Sequence, residues 1–358
     1  MKKFLSILLA AILVLSIAGS AMAEGKAVVS WYTFGDIYLT SVRNALNEAL
    51  TAKGIEVLDK DSNAVQTQQN EDLDSAVLSG TNALVVNLVE SGSIGVAEKL
   101  LEIGKNAGLP VVFFNRAVSQ DDAEAKAMFE SYEKSIFVGT NFEDAGRMQG
   151  DMIGAYVLEN YDKLDLNGDG EISYVMFKGD EANQEAIART KFGVENADAI
   201  LTAAGKKPLK FYDENNTAKY LVDQNGTWSS AAATDYMQTI LAQYSEANNN
   251  MVELVICNND GMAFGAIAAL QQVGYNKSKD EKVIPVFGVD AVEEAQKMIK
   301  DGIMTGTIKQ DAVGMADAVA TITANLIEGK DKLEGLNENY KVVDGWFVQI
   351  PYAVYAGE

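Results

Sequence analysis

The sequence of 358 residues contains no histidine, one cysteine and four prolines. Without histidine, Ser-His-Asp catalysis, Cys-His catalysis and His-ligated metal centres are excluded. The single cysteine, Cys257, excludes an internal disulfide and a multi-cysteine metal site. Positive charge is also scarce, because 29 Lys and Arg stand against 51 Asp and Glu, a net charge of −22. Such an acidic surface repels phosphate backbones, so nucleic-acid binding and polybasic docking to membranes are not expected.

The first 23 residues have the pattern of an export signal. Lys2 and Lys3 precede a short apolar run, and residues 21–23 form an A-x-A cleavage site. The run is shorter than the roughly 20 apolar residues that a membrane span needs. We therefore expect a mature chain that starts at Glu24 and is periplasmic or secreted, since no cysteine stands there for lipid attachment.

Beyond the signal, apolar runs typical of buried parallel strands alternate with amphipathic stretches. This rhythm predicts an α/β chain, and the number of strands predicts two sheets in two lobes. The predicted strands are 27–34, 55–58, 83–88, 110–114, 135–139, 172–177, 209–212, 252–257, 283–289 and 305–308. The predicted helices are 37–53, 72–79, 93–107, 144–161, 185–204, 229–244, 261–273 and 311–326.

Five polar residues follow four of the predicted strands, namely Asp36, Asn115, Asn259, Asp260 and Asp290. Ligands of open α/β sheets bind beyond the carboxyl ends of the strands, so these residues indicate a polar site. The alternative is that each one caps the helix that follows. No G-x-G-x-x-G follows the first strand and no Walker A motif is present, so a nucleotide site is not supported.

Residues 165–173 match the first nine positions of a calcium-binding EF-hand loop. The candidate ligands are Asp165, Asn167, Asp169, the backbone carbonyl of Glu171, and Ser173. Position 12, where an EF-hand has glutamate, is Met176, and a strand is predicted where the second helix should begin. We therefore expect a structural calcium site on another scaffold, with one more carboxylate from elsewhere. The alternative is a metal-free turn.

Several segments together resemble one family along most of the chain. They are FFNR at 113–116, VGT at 138–140, QGD at 149–151, KG at 178–179, ART at 188–190, NND at 258–260 and PVFGVDA at 285–291. In this order they resemble the periplasmic galactose/glucose-binding proteins, the solute receptors of sugar ABC importers. The resemblance also implies that Glu253 completes the calcium site.

The resemblance implies the periplasmic binding protein type 1 fold. This fold has two Rossmann-like lobes with parallel sheets, joined by a hinge of three crossings, and the ligand lies in the cleft. The crossings are expected near 138–141, 309–311 and 345–348, with a last strand at 348–355. The first lobe would comprise 24–138 plus 312–345, and the second 141–309 plus 348–358.

The resemblance also assigns the sugar contacts. Tyr38 and Trp228 would cover the two faces of a pyranose, and polar groups would bind its hydroxyls. Those groups are Asp36 and Asn115 from the first lobe, and Arg189, Asn259 and Asp290 from the second. Taken singly, Tyr38 could be a core aromatic residue, Trp228 a surface aromatic residue, and Arg189 an ion-pair partner of Glu185.

Three positions depart from the family pattern. Asn183, Gln184 and Glu185 stand where the family has His-Pro-Asp, and Gln310 stands where it has asparagine. Asn183 is expected to replace the hydrogen bond of an imidazole, since an amide both donates and accepts. Glu185 reaches about one bond further than aspartate. Asn183, Glu185 and Gln310 are thus further candidate contacts that leave the identity of the sugar open.

The expected function is capture of a monosaccharide, with D-glucose or D-galactose favoured, and delivery to the permease of an ABC importer. Some relatives also signal through a chemoreceptor. We expect a monomer without catalytic activity. Three alternatives stay open. The first is a receptor for a pentose, another hexose or a methyl-galactoside. The others are a glycosidase that uses Asp36 and Asp290, and a transcription regulator with the same core. The export signal and the acidic charge argue against the regulator.

Overall fold

The computed structural model describes residues 25–357, so the predicted signal peptide lies outside the described residues. The first lobe is built from β1 (Gly25–Trp31), α1 (Ile37–Ala52), β2 (Ile55–Asp61), α2 (Gln66–Leu78), β3 (Ala83–Val86), α3 (Ile94–Asn106), β4 (Val111–Phe114), α4 (Asp122–Glu130) and β5 (Ser135–Gly139). The chain then crosses into the second lobe and later returns to add a helix and two strands here.

The second lobe contains α5 (Phe142–Leu164), β6 (Ser173–Lys178), α6 (Gln184–Ala203), β7 (Lys210–Phe211), β8 (Leu221–Val222), α7 (Ser230–Leu241), a short 3₁₀ helix (Glu246–Asn248), β9 (Leu254–Cys257), α8 (Asp260–Gln272), β10 (Val286–Asp290), α9 (Glu293–Lys300) and β11 (Gly306–Gln310). The chain returns to the first lobe as α10 (Ala312–Glu328), β12 (Lys341–Val343) and β13 (Phe347–Gln349). It ends in the second lobe with β14 (Tyr352–Tyr355).

Each lobe is organised around a seven-stranded sheet. The strand order is β12-β13-β5-β4-β3-β1-β2 in the first lobe and β14-β11-β10-β9-β6-β7 in the second, where β8 also pairs with β6. The pairs are parallel except β12 with β13 and β11 with β14. Central strands such as β4 are buried along their whole length, because helices cover both faces of each sheet. The predicted fold class is confirmed.

The third crossing lies later than expected. β13 pairs in parallel with β5 of the first lobe, whereas β14 pairs with β11 of the second lobe. The chain therefore crosses at Ile350 and Pro351. The predicted single strand at 348–355, the crossing at 345–348 and the assignment of 348–350 to the second lobe are wrong. Pro351 explains the break, because it lacks an N–H and cannot continue a strand ladder.

Two helices and two strands were not predicted. α4 and α9 have only nine and eight residues, too few for a clear helical period. The strands β8 and β12 are two and three residues long and contain no buried residue. α2 begins six residues before the predicted start, because its first turns are the polar residues QTQQN. Among residues 25–357, no helix is both long and apolar enough to cross a bilayer.

Candidate functional site

A cavity lies between the lobes, at the carboxyl ends of the strands of both sheets. All ten residues predicted to contact a sugar line it, together with Leu39 and Arg116. From the first lobe come Asp36, Tyr38 and Asn115, and from the second Asn183, Glu185, Arg189, Trp228, Asn259, Asp290 and Gln310. Sequence reasoning therefore found the polar and aromatic side chains of the cavity apart from Arg116. Their role in binding stays a prediction.

The cavity is small. The centre of a water molecule can move within about 30 Å³ of it. Adding a water radius of ~1.4 Å on all sides gives a roughly spherical space of about 150 Å³, or about five waters at ~30 Å³ each. The closed cavity therefore has room for one small polar molecule and not for a peptide or an oligomer.

Several hydrogen-bond donors that line the cavity are buried and have no partner in the protein. They are the Tyr38 hydroxyl, Nε of Arg116 and Arg189, Nε1 of Trp228 and Nε2 of Gln310. A buried donor without a partner costs about 1–3 kcal/mol, so native proteins rarely leave several together. This concentration of donors indicates a site prepared for a ligand rich in hydrogen-bond acceptors.

Strained backbone marks the same site. Asn115, Trp228 and Asp290 have φ of 63°, 58° and 124°, and Ala291, next to Asp290, has φ of 55°. Positive φ costs an ordinary L residue of order 1–3 kcal/mol and persists where the surroundings enforce it. The backbone at three of the ten predicted contacts is therefore held in a costly conformation that aims their side chains.

Helix capping and cavity lining are combined in three of these residues. Asp36 Oδ1 accepts from Leu39 N at 2.8 Å, and Asn259 Oδ1 accepts from Met262 N at 2.9 Å. Asn183 Oδ1 accepts from Ala186 N at 3.1 Å. Asp36 and Asn259 thus cap helices, as the alternative interpretation has it, and also line the cavity, while their part in ligand binding stays a prediction. Asn183 Oδ1 keeps a second lone pair, so the expectation that this amide replaces the hydrogen bond of an imidazole stays a prediction.

Arg189 is fixed by the protein from several directions. Its guanidinium donates to Asn258 O at 2.9 Å, Gln310 Oε1 at 2.9 Å and the Tyr352 hydroxyl at 3.1 Å. It also forms an ion pair with Glu185 at 3.4 Å, and both side chains are buried. The ion pair expected as an alternative to ligand contact exists and is part of the cavity wall, with Nε of Arg189 left free.

Trp228 lies flat on the backbone of Gly179. A Cβ atom at Gly179 would approach the indole ring to 2.1 Å, which is impossible without displacing the ring. Gly179 therefore sets the position of one wall of the cavity. Sequence reasoning used Gly179 only as a part of the resemblance, and no local signal shows which side chain needs this glycine.

Acidic groups line the other side of the cavity. Burial raises the pKa of Asp290 well above its ordinary value, and the neighbouring carboxyl of Asp260 raises it further. Burial likewise raises the pKa of Asp260 to about 7. Burial also raises the pKa of Asp36, although the N–H of Leu39 offsets part of that effect. Asp36 and Asp290 line the cavity and can accept hydrogen bonds from hydroxyl groups of a ligand, whereas Asp260 does not line it and accepts from Val292 N and Thr307 Oγ1.

The lobes touch each other around the cavity. The Tyr32 hydroxyl donates to Gly226 O at 2.6 Å, and Arg116 pairs with Asp180 at 3.2 Å. Gln120 Nε2 donates to Ala182 O at 2.6 Å. Each contact joins the first lobe to the second, so the structure shows the cleft closed.

Comparison with known proteins shows the family. A family model described as a periplasmic binding protein domain matches residues 27–331. The chain belongs to the periplasmic binding protein family. It is 35% identical to the D-galactose/methyl-galactoside binding periplasmic protein MglB of Haemophilus influenzae, over 94% of this chain and 91% of that protein. This is a family of solute-binding proteins, so the expectation of a non-enzymatic protein is confirmed and the glycosidase alternative is wrong.

Other members of the periplasmic binding protein family are more distant. The ribose import binding protein RbsB of Escherichia coli is 22% identical over 88% of this chain and 89% of its own. A solute-binding protein of Actinobacillus succinogenes with bound D-allose has a TM-score of 0.69 and 16% identity, with 93% of this chain and 98% of that chain covered. A solute-binding protein of Clostridium phytofermentans with bound β-D-glucose has a TM-score of 0.67 and 19% identity, with 93% of this chain and 94% of that chain covered. These two structures show the same fold.

The predicted calcium loop of this periplasmic binding protein lies between α5 and β6. Glu253, the further ligand that the resemblance implies, is in contact with it. Asp165 accepts from the N–H groups of Asp169 and Gly170 at 3.1 and 2.9 Å, and Glu253 accepts from those of Asn167 and Ser173 at 3.0 and 2.8 Å. The side chain of Glu171 points to lysines of the next segment. Within residues 25–357 no three acidic or cysteine side chains are placed together as a metal centre.

Proposed function

We propose that this protein captures one monosaccharide outside the cytoplasmic membrane and delivers it to the permease of an ABC importer. The observation that carries the proposal is the closed cavity of monosaccharide size, lined by buried donors that lack a protein partner. A sugar offers acceptors to these donors, and its hydroxyl groups donate hydrogen bonds to the carboxyl groups of Asp36 and Asp290. The two aromatic rings from opposite lobes cover its apolar faces.

D-glucose and D-galactose are the ligands that we propose first. The relative with 35% identity is named for D-galactose and methyl-galactoside, and it covers nearly the whole chain. The ten predicted contacts, which came from a resemblance to hexose receptors, all line the cavity. The Asn183 oxygen caps α6 and keeps a second lone pair, so this side chain can both donate to and accept from a hydroxyl group of the sugar.

A second candidate is a receptor for another sugar. One oxygen of Glu185 accepts from both Thr140 and Tyr352, so this side chain offers less to a ligand than a free acid would. A sugar with one fewer hydroxyl donor, such as a pentose or a methyl-galactoside, needs less from this wall of the cavity. This observation favours the second candidate over a random choice among sugars.

Titration calorimetry distinguishes the two candidates. The mature protein would be titrated with D-glucose, D-galactose, methyl-β-galactoside, arabinose and ribose under one buffer condition. We expect micromolar or tighter binding of at least one hexose. Binding of only a pentose or the methyl-galactoside would move the specificity to the second candidate. Absence of binding to all five by protein shown to be folded would contradict the proposed function.

We also propose that the loop at 165–173 binds a structural Ca²⁺ ion. Asp165, Asn167, Asp169, the carbonyl of Glu171, Ser173 and Glu253 would hold it. Asn167 Oδ1 supports the proposal, because this buried oxygen has no hydrogen-bond partner. The Glu171 side chain faces lysines, which fits a position that would contribute only its backbone carbonyl. The ion would tie the loop to the start of β9 and would supply no chemistry at the cavity.

Calcium binding can be tested by thermal unfolding. At calcium 100-fold above its dissociation constant we expect about 2.7 kcal/mol of stabilisation, or a rise of roughly 4 °C in melting temperature for a chain of this length. The variant Glu253→Gln should lose this rise. Glu246→Gln, which removes a surface carboxylate of the same lobe, should keep it. Equal melting temperatures of the wild type in calcium and in chelator would contradict the proposal.

The proposed partners follow from the family and need separate tests. We propose that the protein acts as a monomer, that it docks on a membrane permease, and that a chemoreceptor is a further partner. Sedimentation at micromolar concentration tests the first point. Cross-linking of the sugar-loaded protein to membranes of its source cells, analysed for permease and chemoreceptor peptides, tests the other two.

A further inference from the structure

A buried polar network joins all three crossings of the hinge. Thr140 lies in the first crossing, directly after β5. Gln310 is the last residue of β11 and directly precedes the second crossing at Asp311. Tyr352 is the first residue after the third crossing. The three side chains meet at Glu185 and Arg189, which lie one turn apart on α6 of the second lobe.

The distances show a continuous chain of hydrogen bonds. The Tyr352 hydroxyl lies 2.9 Å from Thr140 Oγ1, 3.0 Å from Glu185 Oε1 and 3.1 Å from Arg189 Nη2. Thr140 Oγ1 donates to the same Glu185 oxygen at 2.9 Å. Arg189 completes the set with Gln310 Oε1 at 2.9 Å. All five residues are more than nine-tenths buried.

The hydroxyl protons of Thr140 and Tyr352 decide the direction of these hydrogen bonds. The two hydroxyl groups carry two protons, yet they make three close oxygen contacts among themselves and Glu185. Arg189 can only donate, so the Tyr352 oxygen accepts from it and its own proton must go to Glu185 or Thr140. In either arrangement the chain of hydrogen bonds ends on Glu185 Oε1, which accepts. Glu185 Oε1 is thereby occupied by the hinge, and Oε2 faces Arg189.

We propose that Tyr352 is a positioning residue that holds the hinge in its closed arrangement through Glu185 Oε1, and that this bond raises the affinity for every ligand by the same factor. The inference rests on the proposed function and deepens it. The length of Glu185 fits this role, because an aspartate at the same position would end about 1.5 Å further from Thr140 and Tyr352. Opening the cleft rotates the crossings relative to one another and so strains these bonds.

The central test compares Tyr352→Phe with Tyr355→Phe. Both changes remove one hydroxyl from β14, but the Tyr355 hydroxyl has no partner in the protein, and Tyr355 does not line the cavity. We expect Tyr352→Phe to weaken two different bound sugars by the same factor of about 5–30, through faster dissociation, because one hydroxyl with several buried partners is lost. Tyr355→Phe should bind both like the wild type.

The ratio of the affinities for the two sugars separates the hinge role from direct contact with the sugar. A direct contact would change this ratio, whereas a bond that only holds the hinge would not. A change of that ratio by more than about fivefold (~1 kcal/mol) in Tyr352→Phe would overturn the inference, because the network would then discriminate between sugars. Equal affinities of Tyr352→Phe and Tyr355→Phe would overturn it as well. Thr140→Val, which removes the hydroxyl of the first crossing, should reproduce the uniform loss.

Small-angle X-ray scattering gives a reading that does not depend on calorimetry. Each variant is measured with sugar at the same multiple of its own dissociation constant. Under this condition Tyr352→Phe should show a larger radius of gyration than Tyr355→Phe. If the wild type binds none of the sugars, the proposed function fails. The hinge inference fails instead if the wild type binds and Tyr352→Phe has the same affinities and radius of gyration as Tyr355→Phe.

Discussion

The two lobes contribute to the cavity in different ways. The first lobe supplies Tyr38, whose hydroxyl has no partner, together with Asp36 and Asn115, which are held by bonds to Leu39 N at 2.8 Å and Asn87 at 3.3 Å in their own lobe. The second lobe and the hinge supply the other seven predicted contacts, and many of these are bonded to one another. The second lobe therefore presents a prepared surface, and the first lobe completes the enclosure when the cleft closes.

This difference predicts an order of events. A sugar would first dock on the second lobe, where Arg189 and Trp228 are already positioned, and the first lobe would then close over it. Pre-organised groups lose little entropy when a ligand binds, so changes in the second lobe should weaken binding more than similar changes in the first. The predictions below test this comparison.

The largest loss of binding is expected from Trp228→Ala. The change removes an aromatic face and one unpartnered donor from a buried position, and such central aromatic contacts contribute about 2–4 kcal/mol, or roughly 30- to 1,000-fold in affinity. Tyr38→Ala removes the corresponding ring from the first lobe and should cost less. Calorimetry with the preferred sugar measures both. A larger loss for Tyr38→Ala would reverse the proposed roles of the lobes.

Gly179→Ala should have the next largest effect, without removing any group that contacts the ligand. The new Cβ would force the indole of Trp228 away from the backbone, and overpacking of this kind costs typically about 1–3 kcal/mol. Affinity should fall by roughly 5- to 150-fold. Gly95→Ala in α3 is the matched control, since nothing lies within 4 Å of its added Cβ. Unchanged affinity in Gly179→Ala would show that the indole can move without loss.

Tyr38→Phe isolates one donor of the first lobe. The hydroxyl is buried without a partner in the protein, so we expect a sugar to accept from it. Removing one neutral hydrogen bond should cost about 0.5–1.5 kcal/mol, or roughly 2- to 12-fold in affinity. Calorimetry measures the change against Tyr355→Phe. Tighter binding by Tyr38→Phe would mean that the hydroxyl stays unpaired in the complex.

The sequence predicts the common architecture well and the details of the hinge poorly. Buried parallel strands are visible because both of their faces are apolar, and the polar residues at their ends mark the cavity. The third crossing was misplaced because a run of alternating residues at 348–355 reads as one strand until Pro351 is given its weight. The contact between Gly179 and Trp228 joins residues 49 positions apart. The network around Tyr352 joins residues at least 163 positions apart, so no local pattern in the sequence reveals either one.

The smallest effect on sugar binding near neutral pH is expected from Asp260→Asn, which acts on the second lobe alone. Asp260 Oδ1 accepts from Thr307 Oγ1 at 2.7 Å and Oδ2 from Val292 N at 3.0 Å, so it fixes the strained turn that carries Asp290. An amide can accept from Val292 and donate to Thr307, which preserves the turn. Affinity should therefore change by only a few fold, while the charge that opposes ionisation of Asp290 is removed.

The pH dependence of folding then distinguishes the two proteins. Burial raises the pKa of Asp260 from 3.8 to about 7 and also raises that of Asp290, whose other charged neighbours are Arg189, Asp36 and Glu185. The folded protein thus keeps protons that the unfolded chain loses. The contribution of this pair to the free energy of unfolding is greatest below about pH 4. It falls as the pH rises toward 7, by up to about 1.4 kcal/mol per pH unit for each proton. Urea unfolding of both proteins from pH 4 to pH 8 should give a shallower decline for Asp260→Asn, and parallel curves would show that the pair stays ionised in the folded protein.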